Sequence, residues 1–254
     1  MTEAAALEAK ELSIVFGEYV AVDKVDFFIN KGDCAGVIGP NGAGKSTFFN
    51  LLTGMYTPTA GKVFYQGNDV TALSVEKRVA VGLVRTFQLV SVFDSLTVLQ
   101  NMILPVVRFR KQYSSNFLYS FCPADTSVIT EECMENLKRV GIDARAHEMA
   151  ANLSYGEKRK LEIAMSLALK PTVLLLDEPL AGLSDVEIKE VIGLVTQLKS
   201  QFTILLIEHK ISQIQNLVSR LSVMHEGRMI AHGTPDDVIN DKEIRRIYWG
   251  AAAE

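Results

Sequence analysis

The sequence predicts an α/β fold with a mostly parallel core sheet, and three observations carry that expectation. The first is Gly39-Pro40-Asn41-Gly42-Ala43-Gly44-Lys45-Ser46-Thr47, which fits G-x-x-x-x-G-K-[ST] between an apolar run (34–38) and an apolar helical segment (48–52). The second is a pair of short, wholly apolar runs, 173–176 and 204–207, closing on Asp177-Glu178 and Glu208-His209. Strands buried on both faces of a parallel sheet read this way, and they present ligands at their C-terminal ends. The third is a set of helix-opening boxes, Thr97-x-x-Gln100, Ser154-x-x-Glu157 and Ser184-x-x-Glu187, which set helices around those runs.

The glycine pattern has a direct chemical reading. Closely spaced glycines let successive backbone N–H groups curl around a phosphate with no Cβ in the way. A helix starting near Ser46 adds free N–H groups and a positive dipole end. Lys45 brings a full charge toward the β- and γ-phosphates, and the Ser46 hydroxyl can ligate Mg²⁺. Residues Gly39 to Thr47 are therefore the candidate nucleotide-phosphate site.

At 254 residues, 48% hydrophobic and 22% charged, the chain suffices for one large α/β domain or a domain with a subdomain. A formal net charge of −4 gives no overall pull toward nucleic acid or anionic lipid, and no nucleic-acid partner is expected. Cys34, Cys122 and Cys133 are odd in number and lack metal spacing, which fits reduced, structural thiols in a cytosolic compartment. Residues 1–10 are acidic and alanine-rich without an apolar centre, so no signal peptide is expected. No run of about 18 apolar residues suggests a membrane span.

Taken in order, 12–16 and 25–29 read as strands, and 30–33 as the turn into the loop strand. Phe16, at the first strand's exit ahead of Gly17, is either ordinary core or an exposed ring able to stack on a base. The first helix ends at Gly54; a Pro/Gly turn and an alternating strand (62–66) follow. Residues 81–87 form another strand-like run closing on Gln88, which either ligates Mg²⁺ through its amide oxygen or caps a turn, the cap being the simpler reading. Residues 108–123 mix aromatics with base, suiting a partner-facing segment or a plain surface loop between helices. Residues 128–140 give a helix stopped by Gly141.

Leu153-Ser154-Tyr155-Gly156-Glu157 opens a helix running to about residue 170. A well-capped structural helix explains it, and so does an anion site for a phosphate brought from elsewhere. Two adjacent acids ending so apolar a strand are less ambiguous: Asp177 would hold Mg²⁺ through a water, and Glu178 would orient and deprotonate an attacking water. His209 ends the next strand at the same edge and could hydrogen-bond the γ-phosphate. A hairpin (221–231), a short helix capped by Thr234-Pro235 and a helical tail through residue 250 follow.

Together these motifs resemble the ATP-binding subunit of ABC transporters over nearly the whole chain. They come in that family's order: phosphate loop, Gln88 as the Q-loop, Leu153 to Glu157 as the signature, Asp177-Glu178 as Walker B. Ala181-Gly182-Leu183-Ser184-Asp185 then stands as the D-loop and His209 as the switch histidine. Two positions depart: the signature, usually L-S-G-G-Q, has Tyr155 and Glu157, and Lys210 follows His209 where aspartate is common. Residues 39–50 and 85–88, the insertion after Gln88, Glu208-His209, Gly233-Thr234-Pro235 and Tyr248-Trp249-Gly250 look like the Liv-type ATPases of bacterial branched-chain amino-acid uptake. Urea-uptake and lipopolysaccharide-export ATPases are close relatives.

The resemblance implies a P-loop ATPase of the ABC type, with an antiparallel β subdomain and a helical subdomain at about 91–169, the rest (about 1–90 and 170–250) being nucleotide-binding core. It implies ATP and Mg²⁺ as cofactors, Phe16 as the adenine-stacking residue, Gln88 as a metal ligand, and Ser154, Tyr155, Gly156 and Glu157 acting on the partner's ATP with Asp185 beside them. Implied partners are permease subunits, a second ATPase (the same chain or a sister) and, through the permease, a solute-binding protein. The implied location is peripheral, on the cytoplasmic face of the bacterial inner membrane. A soluble ABC-type protein of translation or DNA repair would bring two cassettes or long heptad arms, and a phosphate-loop kinase would leave Ser154 and His209 without a role.

Overall fold

The computed structural model describes residues 5–86, 91–113, 126–209 and 211–249. Among them, six strands form the main sheet in the order β10-β9-β3-β8-β7-β6. These are β3 (Cys34–Ile38), β6 (Leu83–Arg85), β7 (Val173–Asp177), β8 (Thr203–Glu208), β9 (Arg220–His225) and β10 (Arg228–Gly233). All neighbours pair parallel except the β9–β10 hairpin at the edge. The apolar runs alternate sides as a pleated strand must. Leu174, Leu176, Ile204 and Leu206 face one core cluster, and Val173, Leu175, Leu205 and Ile207 face the other.

The second cluster lies beneath a four-stranded antiparallel sheet, ordered β2-β1-β4-β5, from β1 (Leu7–Phe16), β2 (Tyr19–Ile29), β4 (Ala60–Tyr65) and β5 (Asn68–Asp69). Helix α1 (Lys45–Thr53) belongs to the same cluster and buries Phe48, Phe49, Leu51 and Leu52 there. On the other face α3 (Val98–Tyr113), α4 (Thr126–Arg139) and α5 (Tyr155–Ala168) pack on one another, with α6 (Asp185–Leu198) beside α5.

The helix-opening boxes form as their spacing predicts. Thr97 N–H donates to Gln100 Oε1 (2.9 Å) and Gln100 N–H donates back to Thr97 Oγ1 (3.1 Å). Ser154/Glu157 and Ser184/Glu187 cap α5 and α6 in the same way. Gly141, at φ +73°, stops α4, and Thr234-Pro235 starts α8 (Pro235–Asn240).

The two N-terminal strands are longer than their sequence pattern suggests. Glu11 and Lys24 take positive φ (44° and 45°), and the β1–β2 register shifts between Ala9 and Leu12. Such bulges break strict alternation, so only the regular halves were legible. The run 81–87 yields strand only at Leu83–Arg85, while Phe87 and Gln88 lie outside the described residues, as do Lys210, Cys122 and most of 108–123. Among the described residues Cys34 and Cys133 are buried and form no disulfide, and burial pushes the Cys34 thiol up to about 11. Two helices went unforeseen: α2 (Val75–Ala80) and α7 (Ile211–Ile214), both too short for a clear period.

Helix α2 carries a large, fully buried polar side chain. Arg78, 1% exposed, donates to the carbonyls of Leu51 (2.8 Å) and Leu52 (2.6 Å) at the end of α1, and to Thr71 and Leu73. A cation there satisfies carbonyls that a helix end leaves bare. Arg78→Met, similar in length but without donors, should lower unfolding stability in urea by about 3 kcal/mol.

Candidate functional site

Strands β3, β7 and β8, which end at one edge of the main sheet, each deliver part of the site. From β3 the chain enters the glycine loop, which has no room for a side chain at Gly39 or Gly44. A Cβ at Gly39 would stand 2.2 Å from the Met224 carbonyl oxygen. Gly44, at φ +96°, is left-handed, and a Cβ there would meet the Ala21 carbonyl at 2.5 Å. The loop opens on a cleft of about 290 Å³ lined by residues 41–47, Tyr19, Ala21 and Glu178. Asn41, Gly42 and Ser46 are exposed in it; Lys45 is buried, its Nζ donating to the carbonyls of Gly39 (2.7 Å) and Pro40 (3.0 Å). Burial pulls the Lys45 ammonium below its ordinary range, opposed by Glu178, Asp177 and Glu208 in that order.

Strand β7 ends on Asp177, 1% exposed, whose Oδ2 accepts from Arg85 Nη2 at 2.5 Å. Arg85 also reaches Asn50 Oδ1 (2.6 Å), tying β6 to α1. Glu178 follows at φ +46°, a left-handed conformation that costs a non-glycine residue about 1–3 kcal/mol. Its N–H donates to the Ile207 carbonyl on β8 (3.1 Å). Strand β8 ends on Glu208, fully buried, whose Oε1 accepts from Leu180 N–H (2.9 Å); His209 Nδ1 lies 3.7 Å from Oε2.

The signature opens α5, away from the cleft's lining. Ser154 Oγ accepts from Glu157 N–H (3.2 Å) and donates to Glu187 Oε1 (3.2 Å). Tyr155 packs over Gly182, where a Cβ would come within 3.1 Å of the ring. Gly182, left-handed at φ +76°, presents no side chain to the Tyr155 ring. Asp185 is exposed in the first turn of α6. Phe16 ends β1, 46% exposed, its ring edge-on to Tyr56 at 5.5 Å.

The loop, Glu178 and Lys45 thus share one cleft, with Asp177 and Glu208 acting on Lys45 electrostatically; Ser154 and Gly156 stand outside it. A model of the ABC transporter family matches residues 22–181, which takes in the glycine loop, the signature and the Asp177-Glu178 pair. The chain belongs to the ABC transporter family. It is 36% identical over 251 residues to the high-affinity branched-chain amino acid transport ATP-binding protein LivG of Escherichia coli K12, covering 97% of this chain and 98% of that one. BraF of Pseudomonas aeruginosa, named for the same transport, is 34% identical over 253 residues, again 97% and 98%. The crystal structure of a nucleotide-free ATP-binding cassette from an ABC transporter superposes with a TM-score of 0.85 at 30% identity, covering 96% of this chain and 98% of that one. Membership implies ATP binding, hydrolysis coupled to transport, permease partners and pairing of ATP-binding subunits.

The donor set suits a hard cation. Asp177 Oδ1 is buried with no hydrogen-bond partner, and the Ser46 hydroxyl lines the cleft. Both are oxygen donors of the kind Mg²⁺ takes alongside phosphates and waters. Sequence patterning missed Arg85, Glu208 and Tyr19. Arg85 becomes notable only when Asp177 is set against it, Glu208 only when it is buried under Leu180, and Tyr19 only through its place on the cleft wall.

Burial, with Glu178 adding to it, pushes the Glu208 carboxyl up to about 7. The folded chain therefore keeps a proton that the unfolded chain releases above about 4.5, and Glu208 costs stability as pH rises from there through 7. Glu208→Gln should melt close to the parent at pH 5 and clearly above it at pH 8, read by calorimetry.

Proposed function

We propose that this chain is the ATPase of an importer for branched-chain amino acids. The likeness to LivG along nearly the whole length supports this reading most strongly. Among the described residues no helix is long and apolar enough to cross a membrane. A peripheral place on the cytoplasmic face, held by permease subunits, agrees with that. The solute would be chosen by the permease and an external binding protein.

In this reading residues 1–90 and 170–250 form the nucleotide core, and 91–169 a helical arm carrying the signature. Two ATPase chains, identical or sisters, meet head to tail. Residues Gly39 to Thr47 of one hold the ATP phosphates, and Ser154 and Gly156 of the other meet the γ-phosphate, with Tyr155, Glu157 and Asp185 at the same seam. Ser154 is not among the residues that line its own chain's cleft, and a second chain would bring the signature to the phosphates. Half a dipole charge about 4 Å from a phosphate charge, at an effective dielectric near 20, is worth about 2 kcal/mol. That contact favours closure with ATP and disappears after hydrolysis.

Lys45 would exchange the carbonyls of Gly39 and Pro40 for phosphate oxygens. Ser46 and, through water, Asp177 would hold Mg²⁺, with Gln88 as a further ligand. Bound there, the ion neutralises charge on the phosphate oxygens. Glu178 takes the proton of the attacking water, and His209 hydrogen-bonds the γ-phosphate. Phe16, with Tyr19 nearby on the cleft wall, is the candidate for stacking on adenine.

Glu178→Gln should slow hydrolysis by roughly 10²- to 10⁴-fold with ATP still bound, in a phosphate-release assay. Equal turnover would remove Glu178 from the base role. Lys45→Ala should weaken ATP binding by titration calorimetry. The transport reading is tested by isolating the chain with its permease in lipid vesicles: leucine, isoleucine or valine, presented with the binding protein, should stimulate ATP hydrolysis. Stimulation by urea alone, or by none of these, would overturn it.

A further inference from the structure

Glu187, in the first turn of α6, caps two helices at once. Its Oε2 accepts from Ser184 N–H (3.0 Å) and Ser184 O–H (2.7 Å), closing its own helix. Its Oε1 accepts from Gly156 N–H (2.8 Å) and Ser154 O–H (3.2 Å), at the start of α5. These are the two donors assigned above to the partner's γ-phosphate. A side chain at Gly156 would exclude the acid, since a Cβ there would fall 2.7 Å from Glu187 Cγ. Bonds from Ser184, then from Gly156 and Ser154, hold the Glu187 carboxyl down to about 2, so it is ionised at any working pH.

We propose that Glu187 is a tethered competitor for the terminal phosphate at the signature, and thereby sets how much ATP closes the seam and how quickly it reopens. The inference rests on the head-to-tail reading given above. Gly156 has one N–H and Ser154 one hydroxyl hydrogen, and both are engaged by a carboxylate oxygen. An incoming phosphate oxygen, also anionic, must displace that oxygen or suffer its repulsion. The bonds from Ser184 to Oε2 do not involve those donors, so α6 keeps a cap when Oε1 yields. Once hydrolysis frees the phosphate, the carboxylate is still attached to the same chain. It reclaims the donors at the high effective concentration of an intramolecular ligand. A nucleotide lacking the terminal phosphate offers nothing to displace it. Glu187 is thus a residue that sharpens the seam's choice of ATP over ADP.

The test uses the hydrolysis-blocked Glu178→Gln protein, with its sister ATPase where the transporter holds two kinds. The ATP concentration for half-maximal pairing is read by light scattering, with and without Glu187→Gln. Glutamine keeps the shape and an acceptor oxygen but loses the charge, and charge-assisted bonds are about twice as strong as neutral ones. The double variant should pair at roughly 3- to 10-fold lower ATP, about a tenfold change per 1.4 kcal/mol. It should also separate correspondingly more slowly after ATP is removed. Ser184→Ala in the same background weakens the α6 cap while leaving the carboxylate on Gly156, and should not lower the ATP requirement. If it lowers the requirement as much as Glu187→Gln does, loosening of α6 is the cause and the proposal fails. An unmoved or raised ATP requirement in the Glu187→Gln protein overturns the competitor role alone. No ATP-driven pairing even in the Glu178→Gln protein overturns the head-to-tail reading and this inference with it.

Discussion

A buried ammonium opposed by carboxylates is the constraint around which the molecule is arranged. Lys45 leaves the glycine loop at the end of β3, and the acids that hold its charge come from the ends of β7 and β8. Only adjacent parallel strands bring three such ends to one edge, and only apolar strands can be buried deeply enough to make the charges interact strongly. The order β3-β8-β7 sets those three ends side by side. Arg85 on β6 extends the arrangement by neutralising one oxygen of Asp177 and leaving the other without a partner.

The second organising feature is the junction between α5 and α6. Both helices open with a Ser-x-x-Glu box, and both boxes converge on Glu187, which belongs to one and reaches into the other. A local capping rule thus becomes a tertiary contact. It brings the signature against the D-loop within one chain, before any second chain takes part.

Much of this was legible in the sequence because the decisive signals are local. The glycine loop is a contiguous pattern whose turn geometry admits few alternatives, and the three helix-opening boxes depend on residues three apart. The apolar runs 173–176 and 204–207 had to be buried strands because nothing polar interrupts them. What escaped notice depends on distance in the chain. Arg85 reads as the polar end of a strand until Asp177, far along the sequence, is set beside it. Glu208 reads only as the last residue of an apolar strand until Leu180 folds over it, and Glu187 looks like an ordinary cap. The bulges at Glu11 and Lys24 hid half of β1 and β2, because a shifted register erases the alternation that reveals a strand. The short helix α2 offers too few turns for a period, so the burial of Arg78 could not be anticipated.

The stacking of Tyr155 on Gly182 ties together two loops that are usually considered separately. With tyrosine in the signature, the D-loop must supply a backbone without a Cβ, held in a conformation that glycine favours. A side chain at 182 would press on the ring and strain a left-handed backbone, and a glycine at 155 would strip the ring's cover from the loop. A grafted cassette or a consensus-based redesign would have to move the two as a unit, so the five-letter signature is in effect a longer, discontinuous word.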